Sequence, residues 1–214
     1  MTTLAHPDPA QDGAPEESAP TTRCRILAVA ERSFREIGYQ KTTVADIAKT
    51  LKMSPANVYR FFDSKKAINE AVVERVTGEV EALIARIADA AGLSAEARLR
   101  QAITMLHRDT VERWAGYPRI HEMVEAAMGE SWEVCRHHVD RIGAVFERIV
   151  RDGVRSGEFE AEDPAVAARC VQAAILRHTH PLMVSQLPQV PEPTLEQIVA
   201  FALRALRPAR PAAG

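Results

Sequence analysis

Between Thr42 and Lys66 the chain reads TTVADIAKTLKMSPANVYRFFDSKK, a stretch rich in side chains that can hold a polyanion. It carries four of the chain's five lysines, and the fifth, Lys41, stands just before it. Thr43, Ser54 and Ser64 each precede an apolar helical pattern, the place of a hydroxyl N-cap. A helix start also offers free N–H groups and partial positive charge to phosphate. From Arg23 to Arg75 eleven basic residues stand against six acidic ones, a net of +5. The whole chain carries −2, so the remainder carries −7. A basic segment on an acidic body is the footprint of a nucleic-acid contact, although a solvated charged face gives the same count.

The elements that must position these groups are helices. Ile26, Leu27, Ala30, Phe34 and Ile37 fall on one face of a first helix that Thr22 can cap and Gly38 can end. Thr43 and Asp46 make a capping box for a second helix, whose buried face is Val44, Ile47, Ala48 and Leu51. After the turn Lys52-Met53-Ser54, Pro55 suits the first position of a third helix running to about Phe62. That helix turns Val58 and Phe62 inward and leaves Ala56, Asn57, Tyr59 and Arg60 outside. A fourth helix starts at Ser64, carries Ile68, Val72, Val76, Val80, Leu83 and Ile87, and reaches about Ala91. At that length it can join two bodies.

More helices follow. One begins at Ser94 and ends near Trp114, and a short one runs from Tyr117-Pro118 through Met128. A long one is capped by Ser131, with Cys135, Val139, Ile142, Phe146, Ile149 and Val150 on one face. Asp163-Pro164 opens another, with Val166, Val171, Ile175 and His178, which Pro181 breaks. Pro193-Thr194 opens the last. No strand-like alternation appears, so the expected fold is all-α: a three-helix unit joined by a long helix to a helical body. The expected division is a disordered tail at 1–20, a helix-turn-helix unit at 21–66, a body at 67–207 and a second tail at 208–214.

Several functions lack their chemistry. Cys24, Cys135 and Cys170 lie far apart and make neither a disulfide framework nor a zinc site. Neither His137-His138 nor His178-His180 has the i, i+4 spacing of metal-binding helices, so no metal and no cofactor is expected. No clustered nucleophile and base points to an enzyme. No apolar run is long enough for a bilayer, and no signal pattern opens the chain, which places it in the cytoplasm.

Two short helices about a tight turn, the second beginning on exposed polar residues, fit the helix-turn-helix way of entering the major groove. In that frame Arg60 suits guanine and Asn57 suits adenine. The run Phe34, Gly38-Tyr39, Thr42-Thr43-Val44, Ile47-Ala48, Ser54, Val58-Tyr59, Phe62 and Ser64-Lys65 resembles the DNA-binding domain of TetR-type (tetracycline-repressor-like) regulators. The segment GVRSGEFEAEDP is similar to the junction before that family's last two helices. Lys52 departs from the glycine common in that turn, and Phe61 from the usual His or Tyr.

The resemblance implies a regulator that binds a double-stranded DNA operator. The expected contact set is Thr42, Thr43, Lys52, Ser54, Pro55, Ala56, Asn57, Tyr59, Arg60 and Lys65; the resemblance puts Thr43, Tyr59 and Lys65 on phosphates and Ser54, Pro55, Ala56, Asn57 and Arg60 toward the groove, while Lys52 enters by its own charge. It also implies a homodimer through Ala167, Ala174, Ile175, Ile198, Phe201, Ala202 and Ala205. The unknown small-molecule inducer would sit among Met105, Trp114, Tyr117, His121, Met123, Met128, Trp132, Phe146 and His178. Two alternatives stay open: a ligand-independent DNA binder, and a small-molecule-binding protein with an inert helix-turn-helix.

Overall fold

The computed structural model describes residues 20–115, 119–186 and 192–209. The expected tails therefore fall outside the described residues, apart from Pro20, Pro208 and Ala209. Among the described residues there are helices and no strands, as the sequence pattern requires. The helices are α1 (Thr22–Glu36), α2 (Val44–Thr50), α3 (Pro55–Tyr59), α4 (Lys65–Ala88) and α5 (Ala95–Thr110). A π-helical turn, Val111–Ala115, continues α5. Then come α6 (Ile120–Glu130), α7 (Trp132–Ser156), α8 (Pro164–Thr179), α9 (Pro181–Gln186) and α10 (Leu195–Leu206). No described helix is long and apolar enough to cross a membrane.

The expected caps form at α2, α3, α4 and α5, where the hydroxyls of Thr43, Ser54, Ser64 and Ser94 accept N–H groups of the first turn. Two expectations are corrected. The cap of α1 is Thr21, which accepts from Cys24 N, so Thr22 lies inside the helix. Ser131 precedes α7 but does not cap it; its hydroxyl donates to Glu70 Oε1 at 2.6 Å. Ile37, expected on the buried face of α1, is 45% exposed, because the helix ends before it.

The buried side chains form two clusters. The first joins α1, α2, α3, the first half of α4, α6 and, through Val134, the start of α7. The second joins the last part of α4 to α5, α7, α8 and α10. α4 serves both through its sequence spacing. Its buried residues Ile68, Val72, Val76, Val80, Ile84 and Ala88 recur every four positions. Each step of four overshoots a full turn by about 40° at 3.6 residues per turn, so the buried stripe winds round the helix. It leaves the first cluster after Val76 and enters the second at Val80. This drift also corrects the expected end of the stripe, since Leu83 and Ile87 are only half-buried.

α7 ends at Gly157, where φ is +78°, a conformation that favours glycine. The chain then folds Phe159 back onto α7, and Phe159 N donates to Gly153 O at 3.0 Å. A Cβ on Gly153 would collide with the Phe159 ring. Asp163 caps α8 by accepting from Ala165 N and Val166 N. Val139 and Val166, expected inward, are 41% and 58% exposed. Pro181 breaks the helical run as expected, with His180 extended before α9.

Candidate nucleic-acid interface

Ser54 Oγ accepts from Asn57 N at 3.3 Å, which fixes the start of α3. Val58 is fully buried and Phe62 nearly so, which holds the helix by its inner side. Ser54, Pro55, Ala56, Tyr59 and Arg60 are exposed, and Asn57 is half-buried with its Nδ2 3.9 Å from Met53 Sδ. α3 is shorter than the expected run to Phe62, and it closes in a tighter turn where Phe61 N and Phe62 N both donate to Val58 O. The turn before it places Lys52 at φ +57°, in the left-handed region that glycine fills without strain. That conformation costs a lysine about 1–2 kcal/mol.

Thr43 and Asp46 form the full capping box, with the Thr43 hydroxyl 2.6 Å from Asp46 Oδ2. These hydrogen bonds from the Thr43 side chain and backbone hold the Asp46 carboxyl below its ordinary range. Thr42 differs from expectation. It is 1% exposed, and its hydroxyl donates to Gly38 O at 2.8 Å, so it secures the turn after α1 and reaches no surface. Lys65 is half-buried, its Nζ 3.3 Å from Gln40 O and 4.3 Å from the centre of the Tyr39 ring. Burial pushes its ammonium below the usual lysine value.

Several exposed cations of this unit have no ion pair among the described residues. Among the described residues none of Arg23, Arg25, Lys41, Lys49, Lys52 and Arg60 has a carboxylate within ion-pair distance, and all six are exposed. On the body, by contrast, Arg98, Arg113, Arg141, Arg151, Arg169 and Arg177 each sit on an acid. Of these cations, Arg23, Arg25, Lys41 and Lys49 were absent from the sequence-derived contact set. Their signal was the clustering of basic residues, which the motif positions passed over.

α6 fastens this unit to the body, a role that the sequence reading missed. Met123, Val124, Ala126 and Ala127 pack into the first cluster. Glu122 Oε2 accepts from Gln40 N at 3.1 Å, and Glu130 Oε2 accepts from Tyr39 OH at 3.4 Å. Burial first, and then Glu130, push the Tyr39 hydroxyl up to about 12. Buried Asn69 donates to Met123 O at 3.3 Å. The only sequence signal was the spacing of Glu122 and Glu130 along one helix.

Of the nine residues expected to line an inducer pocket, the described ones are divided between the two clusters and the surface. Met123 is fully buried in the first cluster and Met128 packs against it, under the DNA-facing unit. Phe146 is fully buried in the second cluster and Met105 packs on that cluster. Trp132 is 54% exposed. Tyr117 and the side chains of Trp114 and His121 lie outside the described residues. His178 joins a polar junction of α5 with the end of α8. His107 Nδ1 donates to His178 O at 2.7 Å, Thr110 Oγ1 donates to Thr179 O at 3.1 Å, and the two imidazoles stack edge to face.

Burial lowers the His178 and His180 imidazoles, and the nearby charges of His107 and His138 add to it. Both rings therefore take up protons more readily in the unfolded chain, so stability rises with pH across the imidazole range. The urea midpoint is expected to fall between pH 7.5 and pH 5.5, and His180→Gln is expected to flatten that dependence. A midpoint that does not fall over this interval refutes the assignment.

The residues expected at a dimer contact divide. Ile175 is fully buried and Ala202 is 5% exposed, both inside the chain's own second cluster. Phe201 is 59% exposed, Ala205 is exposed, and Ala167, Ala174 and Ile198 are half-buried. Phe201, Ala205, Ala167 and Ala174, with Val166 and Cys170, line a groove of about 470 Å³ between α8 and α10.

A short helix on a hydroxyl cap, held by its inner face behind a capped partner helix, in a unit whose exposed cations lack ion pairs among the described residues, defines a helix-turn-helix DNA-binding regulator. The chain belongs to the TetR family. Residues 26–72 match the family described as bacterial regulatory proteins, tetR family, and residues 95–199 match the tetracyclin repressor-like C-terminal domain. The chain is similar to the HTH-type transcriptional regulator TtgR of Pseudomonas putida, at 26% identity over 163 residues, 71% of this chain and 77% of that one. Its fold resembles a TetR/AcrR-family regulator from Thermobifida fusca, with TM-score 0.66, 24% identity, and 87% of this chain and 98% of that one covered. It also resembles SmeT, the repressor of the Stenotrophomonas maltophilia efflux pump SmeDEF, with TM-score 0.61, 24% identity, and 86% and 87% coverage.

Proposed function

We propose that this DNA-binding regulator is a homodimeric repressor that leaves a palindromic operator when a small molecule binds its body. The observation that carries the reading is α3 itself, with Ser54, Pro55 and Ala56 exposed at its start, Asn57 half-buried and Arg60 exposed at its end, in a unit with five further exposed cations that have no ion pair among the described residues. In this reading Arg60 and Asn57 contact base edges, Pro55 and Ala56 meet apolar groups such as a thymine methyl, and Thr43, Lys52 and Tyr59 hold phosphates. Lys65 must leave the Gln40 carbonyl to join them.

Dimerisation through α8 and α10 is supported by the exposed Val166 and Phe201 at the edges of the apolar groove. A two-fold axis there would pair two α3 helices by symmetry, as a palindrome with half-sites about 34–36 Å apart requires. The inducer reading is supported by the polar junction of His107, Thr110 and His178 beside the π-helical turn, a feature common at functional sites. A fold relative, SmeT, has been solved with triclosan. A ligand that binds one body conformation more tightly than the other shifts the population, and α4 connects the body to the DNA-facing unit.

Selection of bound duplexes from a random pool is expected to return a palindrome, with affinity falling steeply as salt rises. Enrichment of a single half-site, or a chain that stays monomeric on DNA, would overturn the dimer. A compound screen against the recovered operator tests release, and release by no compound at millimolar concentration would favour the ligand-independent reading.

A further inference from the structure

We propose that the acidic N-terminal segment, residues 1–19, docks on the basic face around α3 in the absence of DNA and competes there with the phosphate backbone. This rests on the reading of that face as the DNA-binding surface. The segment carries Asp8, Asp12, Glu16 and Glu17 and no lysine or arginine. The three-helix unit that presents α3 carries Arg23, Arg25, Lys41, Lys49, Lys52 and Arg60, all exposed and none with a carboxylate partner among the described residues. The segment also joins the fold at the right place. It enters α1 through Pro20 and Thr21, and Arg23, two residues on, lays its guanidinium 4.9 Å from the centre of the Phe62 ring just past α3. The four carboxylates stand 4 to 13 residues before Thr21, a tether of at most about 14 to 45 Å when extended.

A segment tethered at the edge of its own target acts at an effective concentration on the order of millimolar. Four carboxylates against a cluster of free cations form a weak contact, which that concentration is enough to populate. DNA must then displace the segment. The cost is the same for operator and random duplex, because the carboxylates read no sequence. The counterion balance changes too. Cations already covered by carboxylates release fewer ions when phosphate arrives, so the salt dependence of the full chain is shallower than that of a chain without the segment.

The experiment uses a random duplex of fixed length, so no operator is needed. Full chain, a chain lacking residues 1–19, and the variant Asp8→Asn, Asp12→Asn, Glu16→Gln, Glu17→Gln are titrated across a salt series. The deletion and the neutral variant are both expected to bind roughly threefold to tenfold tighter at low salt. Their plots of log affinity against log salt should be steeper and should meet the full chain's line as salt rises. Carbodiimide coupling of the DNA-free full chain is expected to join Glu16 or Glu17 to Lys41, Lys49 or Lys52, and added duplex should suppress the product. Unchanged affinity and slope, or weaker binding on deletion, would overturn the proposal, and so would the absence of those cross-links. If no chain binds duplex at low salt, it is the DNA-binding reading that fails, while the cross-links still decide the docking.

Discussion

Replacing Phe34 by alanine is expected to destabilise the protein by about 3–5 kcal/mol, the usual cost of emptying a buried phenylalanine site. Phe34 is fully buried in the first cluster, and its ring meets that of Tyr39 edge to face at 5.3 Å between centres. Tyr39 in turn binds Glu130 on α6 and supports the Lys65 ammonium. One ring therefore holds α1, the turn into α2 and the docking of α6 together. The second cluster shares no buried side chain with the first, so the loss should concentrate in the DNA-facing unit. Urea denaturation followed by far-ultraviolet circular dichroism should show an early transition for the variant, with a later one near the parent midpoint. DNA binding should be lost before the early transition is complete. A loss below about 1 kcal/mol, within the range of a harmless substitution, would mean that the cluster refills the space.

The all-helical architecture and most helix ends were legible because their signals are local. Thr43, Ser54 and Ser64 precede apolar patterns, and Pro55 and Pro164 sit where a missing N–H costs nothing. The left-handed Lys52 was legible only through the family resemblance, which puts a glycine at that place in the turn. What failed was tertiary. Thr42 looked like a surface hydroxyl beside Thr43, yet its partner is Gly38 O, fixed by a turn that no periodicity describes. Met123 and Met128 looked like pocket walls because they are apolar and central in the chain. In fact α6 swings back to the first cluster, and nothing in its own pattern says which body it packs on. Ser131 looked like a cap, but its hydroxyl found Glu70, a partner 61 residues away. Spacing along one helix tells which residues share a face and is silent about which other helix that face meets.

The double substitution Asn57→Ala and Arg60→Ala is expected to abolish sequence preference while leaving the fold intact. Arg60 is exposed, and Asn57 contributes only a long contact to Met53 Sδ, so neither carries the packing that Val58 and Phe62 supply. Each base contact is worth about 1–3 kcal/mol of discrimination, so losing both should weaken operator binding by about thirtyfold or more. Binding to random duplex should fall far less, by the share of one lost charge. Lys49→Ala with Lys52→Ala should behave in the opposite way. If those side chains meet phosphate, operator and random duplex should weaken by similar factors, and the salt slope should fall by about 0.9 for each contact removed. Lys52→Gly separates charge from backbone, because glycine also relieves the left-handed strain of about 1–2 kcal/mol. It should raise thermal stability while lowering the salt slope. Equal operator and random-duplex losses for the Asn57 and Arg60 pair would remove both residues from base reading and move specificity to Ser54, Pro55 and Ala56, the exposed groups left at the start of α3.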